Sequence, residues 1–118
     1  MKKVRVAVVG LGHRGRQMFY LAGKNFECVV PAAACDLNPR NWYETQWLME
    51  EPMCVSFPDT DFYENYDDML DNANLDVVIV ETGADVHADF CIKALEKNIK
   101  SSDICNFIRC YSGCGKLY

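Results

Sequence analysis

The chain has 118 residues, 12 Lys and Arg against 17 Asp and Glu for a formal net charge of -5, and half of its residues are hydrophobic. A chain of this size buries about two-thirds of its unfolded surface, so it reads as one globular domain that needs neither disulfides nor metal, and its apolar content argues against disorder. The acidic balance offers no field for nucleic acid or anionic lipid, and no run of basic residues compensates locally, so neither is expected as a partner.

Met1-Lys2-Lys3 before Val4 to Val9 imitates a signal peptide, but Arg5, Gly10, Gly12, His13 and Arg14 break the apolar stretch and no small-residue cleavage site follows. The longest uncharged apolar run, Cys28 to Cys35, is eight residues, far below the roughly 18 needed to span a bilayer. A cytoplasmic location is expected. Seven cysteines is an odd count, and Cys28, Cys35 and Cys91 sit in apolar patterns where a reduced thiol acts as a small hydrophobe. Free thiols are the expectation.

In chain order, Val4 to Val9 is a β-branched run ending at Gly10, as in a strand buried on both faces of a parallel sheet. A helix is expected from His13 to Lys24, with Met18, Leu21 and Ala22 as its inner face. Cys28 to Cys35 makes a second strand, in which Pro31 lacks a ladder donor and points to an irregular or edge-facing start. Asp36 closes it. Asn38-Pro39 reads as an N-cap followed by proline at the first helical position, and Trp42, Tyr43, Gln46 and Trp47 fall at helical spacing before Pro52. Met53 to Asp61 reads as a loop leading to a short third strand at Phe62 and Tyr63. A small helix follows, with Asn65 and Asp68 spaced as a capping box. Leu75 to Glu81 is the clearest strand. Asp85 to Lys97 repeats apolar residues at Val86, Phe90, Cys91, Ala94 and Leu95 with acids early and lysines late, and Asn98 is its expected stop. Strand and helix patterns thus alternate, which predicts an α/β fold: a three-layer Rossmann arrangement with a mostly parallel sheet and helices on both faces.

Gly10-Leu11-Gly12-His13-Arg14-Gly15 is a GxGxxG running from the end of the first strand into the first helix. Gly10 would permit the tight turn, Gly12 the approach of a pyrophosphate, and Gly15 close packing of helix on strand. The free N–H groups and positive dipole end of the helix would then bind the diphosphate. Asp36 stands 21 residues beyond Gly15 at the end of the second strand, where an acid can accept from the adenosine ribose hydroxyls. The same carboxylate would repel a 2′-phosphate, so NAD is expected in preference to NADP. Arg40 has the reach to meet a 2′-phosphate, but is more simply read as a solvated helix residue.

Lys3 to Gly15, Cys35-Asp36-Leu37-Asn38-Pro39, Tyr66-Asp67-Asp68-Met69-Leu70, Leu75 to Val80, His87-Ala88 and Ala94-Leu95-Glu96-Lys97 together resemble the glucose-fructose oxidoreductase and inositol dehydrogenase (Gfo/Idh/MocA) family. The resemblance covers residues 3 to 104. It implies an N-terminal dinucleotide-binding Rossmann domain over residues 1–104, ending before a C-terminal α/β domain that in the family holds a sugar- or polyol-like substrate. In the family the fourth strand usually ends in Thr-Pro with a His four residues after the Pro; here Thr82-Gly83 and His87 keep the Thr and the His and change the Pro. The resemblance therefore makes Thr82, Gly83 and His87 cofactor neighbours, beside the turn residues Gly10 to Gly15; His87 is equally readable as a helix-surface residue.

A second departure follows the fifth strand, where the family carries Glu-Lys-Pro with a lysine placed for proton transfer. This chain reads Ser102-Asp103-Ile104-Cys105 there, and neither Lys100 nor Lys116 is in register. No catalytic residue is assigned. Residues 105–118 form an atypical tail with three cysteines, Cys105, Cys110 and Cys114, which lack a C-x-x-C pair and a fourth ligand, so no metal site is expected. A truncated or frame-altered end would account for both features. The leading expectation is the NAD(P)-binding domain of an oxidoreductase acting by hydride transfer. Its competitors are a non-catalytic dinucleotide-binding module and a Rossmann-like domain for another nucleotide or a coenzyme A derivative. A second copy of the chain is a candidate partner for the exposed sheet end.

Overall fold

A computed structural model describes residues 3–46, 49–82, 84–97 and 99–102. Expectations that fall on Trp47, Gly83, Asn98 and the tail from Cys105 lie outside the described residues.

Five strands form one parallel sheet in the order β3-β2-β1-β4-β5: β1 (Val4–Val9), β2 (Val29–Cys35), β3 (Asp61–Tyr63), β4 (Val77–Val80) and β5 (Lys100–Ser102). The connecting helices are α1 (His13–Asn25), α2 (Arg40–Tyr43), α3 (Met53–Ser56), α4 (Tyr66–Asn72) and α5 (Ala84–Glu96). Strand order reverses between β1 and β4, because the chain runs outward from β1 to β3 and returns to pair β4 on the other side of β1. In an open α/β sheet the carboxyl ends at such a reversal are where ligands bind.

The alternation of β1 and β4 divides the core. Val6, Val8, Val77 and Ile79 face Phe19, Ala22, Trp42, Met53 and Phe57 on one side of the sheet. Ala7, Val9, Val78 and Val80 face Tyr66, Met69, Leu70 and Ala94 on the other. Both faces of these strands are covered, which is why they read as continuous apolar runs.

Pro31 is the irregularity its chemistry requires: the β1–β2 register shifts between Val6 and Ala7, opposite Pro31 and Ala33. β3 pairs only with Ala33 to Cys35, so Pro31 lies where β2 has no partner on that side. Its carbonyl accepts from Thr60 Oγ1 at 2.5 Å.

Four local expectations need correction. On α1 the buried positions are Gly15, Arg16, Phe19 and Ala22, while Leu21 is 44% exposed. The face runs i, i+4, i+7 from Gly15, because that glycine sets the contact with the strand. The helix expected to run on from Asn38-Pro39 stops at Tyr43, and Gln46 lies beyond it, its amide donating back to the Arg40 carbonyl at 2.8 Å. The stretch read as a loop from Met53 holds the single turn α3, entered through Pro52. On α5, Ala94 is buried and Leu95 is 59% exposed, so the inward stripe is narrower than the apolar pattern. At α4 the N-cap holds, with Asn65 Oδ1 accepting from the Asp68 N–H at 3.0 Å.

Candidate functional site

The carboxyl ends of β1, β2 and β4 meet at the turn from Gly10 to Gly15. Gly10 has φ +96°, a conformation L side chains rarely adopt, and a Cβ there would lie 2.5 Å from the Glu81 carbonyl oxygen. Its N–H donates to the Cys35 carbonyl at 3.0 Å, tying the turn to β2. A Cβ on Gly15 would fall 1.9 Å from the Gly10 carbonyl oxygen, so helix and turn touch backbone to backbone. At Gly12, by contrast, a Cβ would meet nothing within 4 Å. That open side lies at the start of α1, which has no side-chain cap and no acidic residue in its first turn. The helix-start donors and dipole there favour an anion.

Asp36 follows β2 and uses both carboxylate oxygens on backbone donors: Oδ2 accepts from the Leu11 N–H and Oδ1 from the Asn38 N–H, each at 2.7 Å. A carboxylate has about four lone-pair sites, so capacity for ligand hydroxyls remains. The acid thus also braces the glycine turn, a role its spacing did not announce.

Arg14 is exposed, its Nε 3.9 Å from Glu81 Oε2. His13 opens α1 and, with Arg16, Gln17, Tyr20, Glu50, Glu51 and others, lines a cleft of about 640 Å³ beside the helix. Arg40 sits at the start of α2, exposed and paired with Glu44 at 3.2 Å. Thr82 follows β4 with its Oγ1 buried and without a hydrogen-bond partner among the described residues. His87 belongs to α5, but its side chain lies outside the described residues, as does all of Gly83. Gly10, Leu11, Gly12 and Gly15 are therefore brought together with Asp36, while Arg40 turns to Glu44.

Two neighbours of the turn escaped the sequence reading. Arg16 is only 7% exposed and donates from Nη1 to the Leu11 carbonyl at 2.7 Å. Burial lowers its guanidinium from the ordinary value, and the charge of Asp36 opposes that shift. No sequence signal marked it, because the inner face of the helix was expected at Met18, Leu21 and Ala22, and the buried set through Gly15, Arg16 and Phe19 is set by the fold. Glu81 directly follows the wholly apolar β4, and its Oε1 is buried without a partner among the described residues. An acid directly after Val-Val-Ile-Val was its signal.

Among the described residues Cys28, Cys35, Cys54 and Cys91 are free thiols. Burial, reinforced by Asp36, pushes the Cys35 thiol up to about 12. No three potential metal ligands cluster among the described residues. No helix there is long and apolar enough to cross a membrane.

The family model of an oxidoreductase family with an NAD-binding Rossmann fold, Gfo/Idh/MocA, matches residues 4–105. Scyllo-inositol dehydrogenase from Lactobacillus casei is similar in structure without ligand and with bound NAD(H) and scyllo-inositol. Both structures are 20% identical over 85% of this chain and 27% of theirs, with TM-scores of 0.72 and 0.71. Myo-inositol 2-dehydrogenase from Lactobacillus plantarum is 24% identical over 85% of this chain and 27% of its own, with a TM-score of 0.71. The WlbA dehydrogenase from Bordetella pertussis, in complex with NADH and UDP-GlcNAcA, is 17% identical over 85% and 26%, also at 0.71. At these identities the likeness is one of fold, and the chain spans about a quarter of the length of each. No curated protein sequence gives a significant match. A family match from the first strand through the fifth, on a parallel sheet whose glycine turn stands at the reversal of strand order, makes this chain a member of the Gfo/Idh/MocA oxidoreductases, with their NAD-binding Rossmann fold.

Proposed function

We propose that residues 1–104 bind NAD at the Gly10–Gly15 turn as part of an oxidoreductase that transfers hydride to or from a sugar- or polyol-like carbon. The observation that carries the reading is the open side of Gly12 at an uncapped helix start, braced by Asp36. In this reading the pyrophosphate lies on the amides of the turn, and the spare lone pairs of Asp36 accept from the adenosine ribose. When bound, NAD supplies the hydride chemistry, and the protein supplies orientation and electrostatics. Thr82, just after β4, borders the cofactor, the family resemblance assigns Gly83 and His87 to it as well, and His13 and Arg14 add positive or hydrogen-bonding character to the helix start. Arg40 is left to its ion pair with Glu44. The substrate class draws support from the relatives of like fold, whose structures hold scyllo-inositol or UDP-GlcNAcA. The reduced thiols fit a cytoplasmic setting, and a second copy of the chain is the partner proposed for the sheet end.

Titration with NADH and NADPH, followed by nicotinamide fluorescence, tests the reading. NADH should bind the more tightly, and no response to either would overturn it. Asp36→Ser should weaken NADH about tenfold or more and narrow the gap to NADPH, since hydrogen bonds to a charged group are worth roughly 1.5–3 kcal/mol. An unchanged preference would remove Asp36 from the ribose.

A non-catalytic dinucleotide-binding module is the second reading. It is favoured by Ser102-Asp103-Ile104-Cys105 standing where the resembled family has its lysine, since proton exchange at the substrate hydroxyl then has no assigned group.

A further inference from the structure

We propose that Arg16 is a positioning residue for dinucleotide binding: by holding the Leu11 carbonyl it aims the Gly12 N–H into the open side of the turn. The inference rests on reading that turn as the dinucleotide site. Leu11 C=O and Gly12 N–H belong to one peptide unit, no described peptide is cis, and in a planar trans peptide the two bonds point in opposite directions. Arg16 Nη1 lies 2.7 Å from the Leu11 oxygen and the guanidinium is buried beneath the turn. The Gly12 N–H therefore points away from Arg16. The preceding peptide is held as well, because the Leu11 N–H donates to Asp36 Oδ2. Two side chains from different elements thus pin the peptides on either side of Leu11.

A buried charge needs a reason. Arg16 sits on the stripe of α1 that otherwise carries Gly15, Phe19 and Ala22, and its Nε has no partner among the described residues. An apolar residue of similar volume would avoid the cost of burying a guanidinium. What only the arginine supplies is a donor long enough to reach the Leu11 carbonyl, and a positive charge beneath a turn built to receive an anion. Sequence patterns mark the glycines of such a turn; the residue that orients its central peptide lies after them and is visible only in the folded chain.

The test compares wild type, Arg16→Met and Arg16→Lys for two probes: NADH, and adenosine, which lacks the phosphates. NADH is followed by fluorescence and adenosine by saturation-transfer NMR, with thermal melts to verify folding. The lysine ammonium is one bond shorter than Nη1, so both variants should lower the ratio of NADH to adenosine affinity. Methionine should lower it about tenfold or more, as for loss of a hydrogen bond to a charged donor, and lysine by less. The Gly12 amide resonance should shift in both variants before any ligand is added. A folded Arg16→Met with the wild-type ratio overturns the inference, and where Arg16→Met does not fold, a wild-type ratio in Arg16→Lys does so. Failure of wild type to bind either probe overturns the reading of the site itself, which separates the two.

Discussion

The β1–α1 turn and the β2–β3 connection flank the same strand end, yet they are held by opposite means. In the turn, glycines at three of six positions let backbone meet backbone, so that Gly15 has room for no side chain at all. In the connection, aromatic bulk does the work: Trp42 is buried and stacks on Phe62 at 5.9 Å, and Phe19 of α1 meets Trp42 at 6.4 Å and Phe57 at 5.0 Å. One region is specified by the absence of side chains and the other by their volume. The first is written in six consecutive residues, though Gly10 also meets the distant Glu81 and Cys35 backbone, whereas the second joins residues from four separate elements or loops.

The largest expected effect tests the aromatic region. Trp42→Ala should destabilise the fold by about 3–5 kcal/mol, the usual cost of emptying a buried aromatic site, while the surviving folded fraction keeps its NADH affinity. Urea denaturation with and without NADH measures both. An affinity loss in folded Trp42→Ala would show that the two regions are not independent.

Gly15→Ala should act almost as strongly from the other region, costing about 3 kcal/mol through a single methyl, at the upper end for overpacked cores. A melting temperature equal to wild type would mean that α1 can move off the turn freely. Gly12→Val separates fold from function within the same six residues. Its φ of -68° and the empty space beside it accommodate a side chain, so stability should change little. NADH affinity should nevertheless fall about a hundredfold, because the side chain takes the volume assigned to the pyrophosphate. Calorimetric titration of the folded variant decides this, and retained affinity would move the phosphate elsewhere.

The smallest effect is alkaline. Cys35 has its thiol raised from 9.0 to about 12 by burial and by Asp36, and Tyr66 is raised for the same first reason. The folded state therefore holds these protons where the unfolded chain releases them. Their contribution to stability is complete below about pH 9 and is lost as pH climbs toward 12. The urea midpoint should be lower at about pH 10.5 than at about pH 8, and Cys35→Ala should flatten that slope. A slope unchanged in Cys35→Ala would assign the alkaline loss to other groups. In iodoacetamide labelling of the native protein, Cys35 should react after Cys54, since Cys35 is buried and Cys54 only partly so.

The alternation of β-branched runs with amphipathic segments determined the α/β class, the first four strands and the place of the glycine turn, because each of these is written in short-range periodicity and in residues of special conformation, whereas periodicity did not mark β5 (Lys100–Ser102). Asn65 as an N-cap and Pro31 as an irregularity were legible for the same reason: each acts on its own backbone. The early end of α2, the exposure of Leu21 and Leu95, and the burial of Arg16 were decided only by the fold. A helix stops where its next side chains find better partners elsewhere, and an apolar residue stays outside when the inward stripe is narrower than the pattern. A guanidinium can be buried only when a carbonyl from another turn of the chain is there to receive it. The pairing of Asp36 with the Leu11 amide is of the same kind. The acid and the glycines could each be found by spacing, but their union into one braced site depends on β1 and β2 lying side by side, which is a property of the sheet and not of either segment.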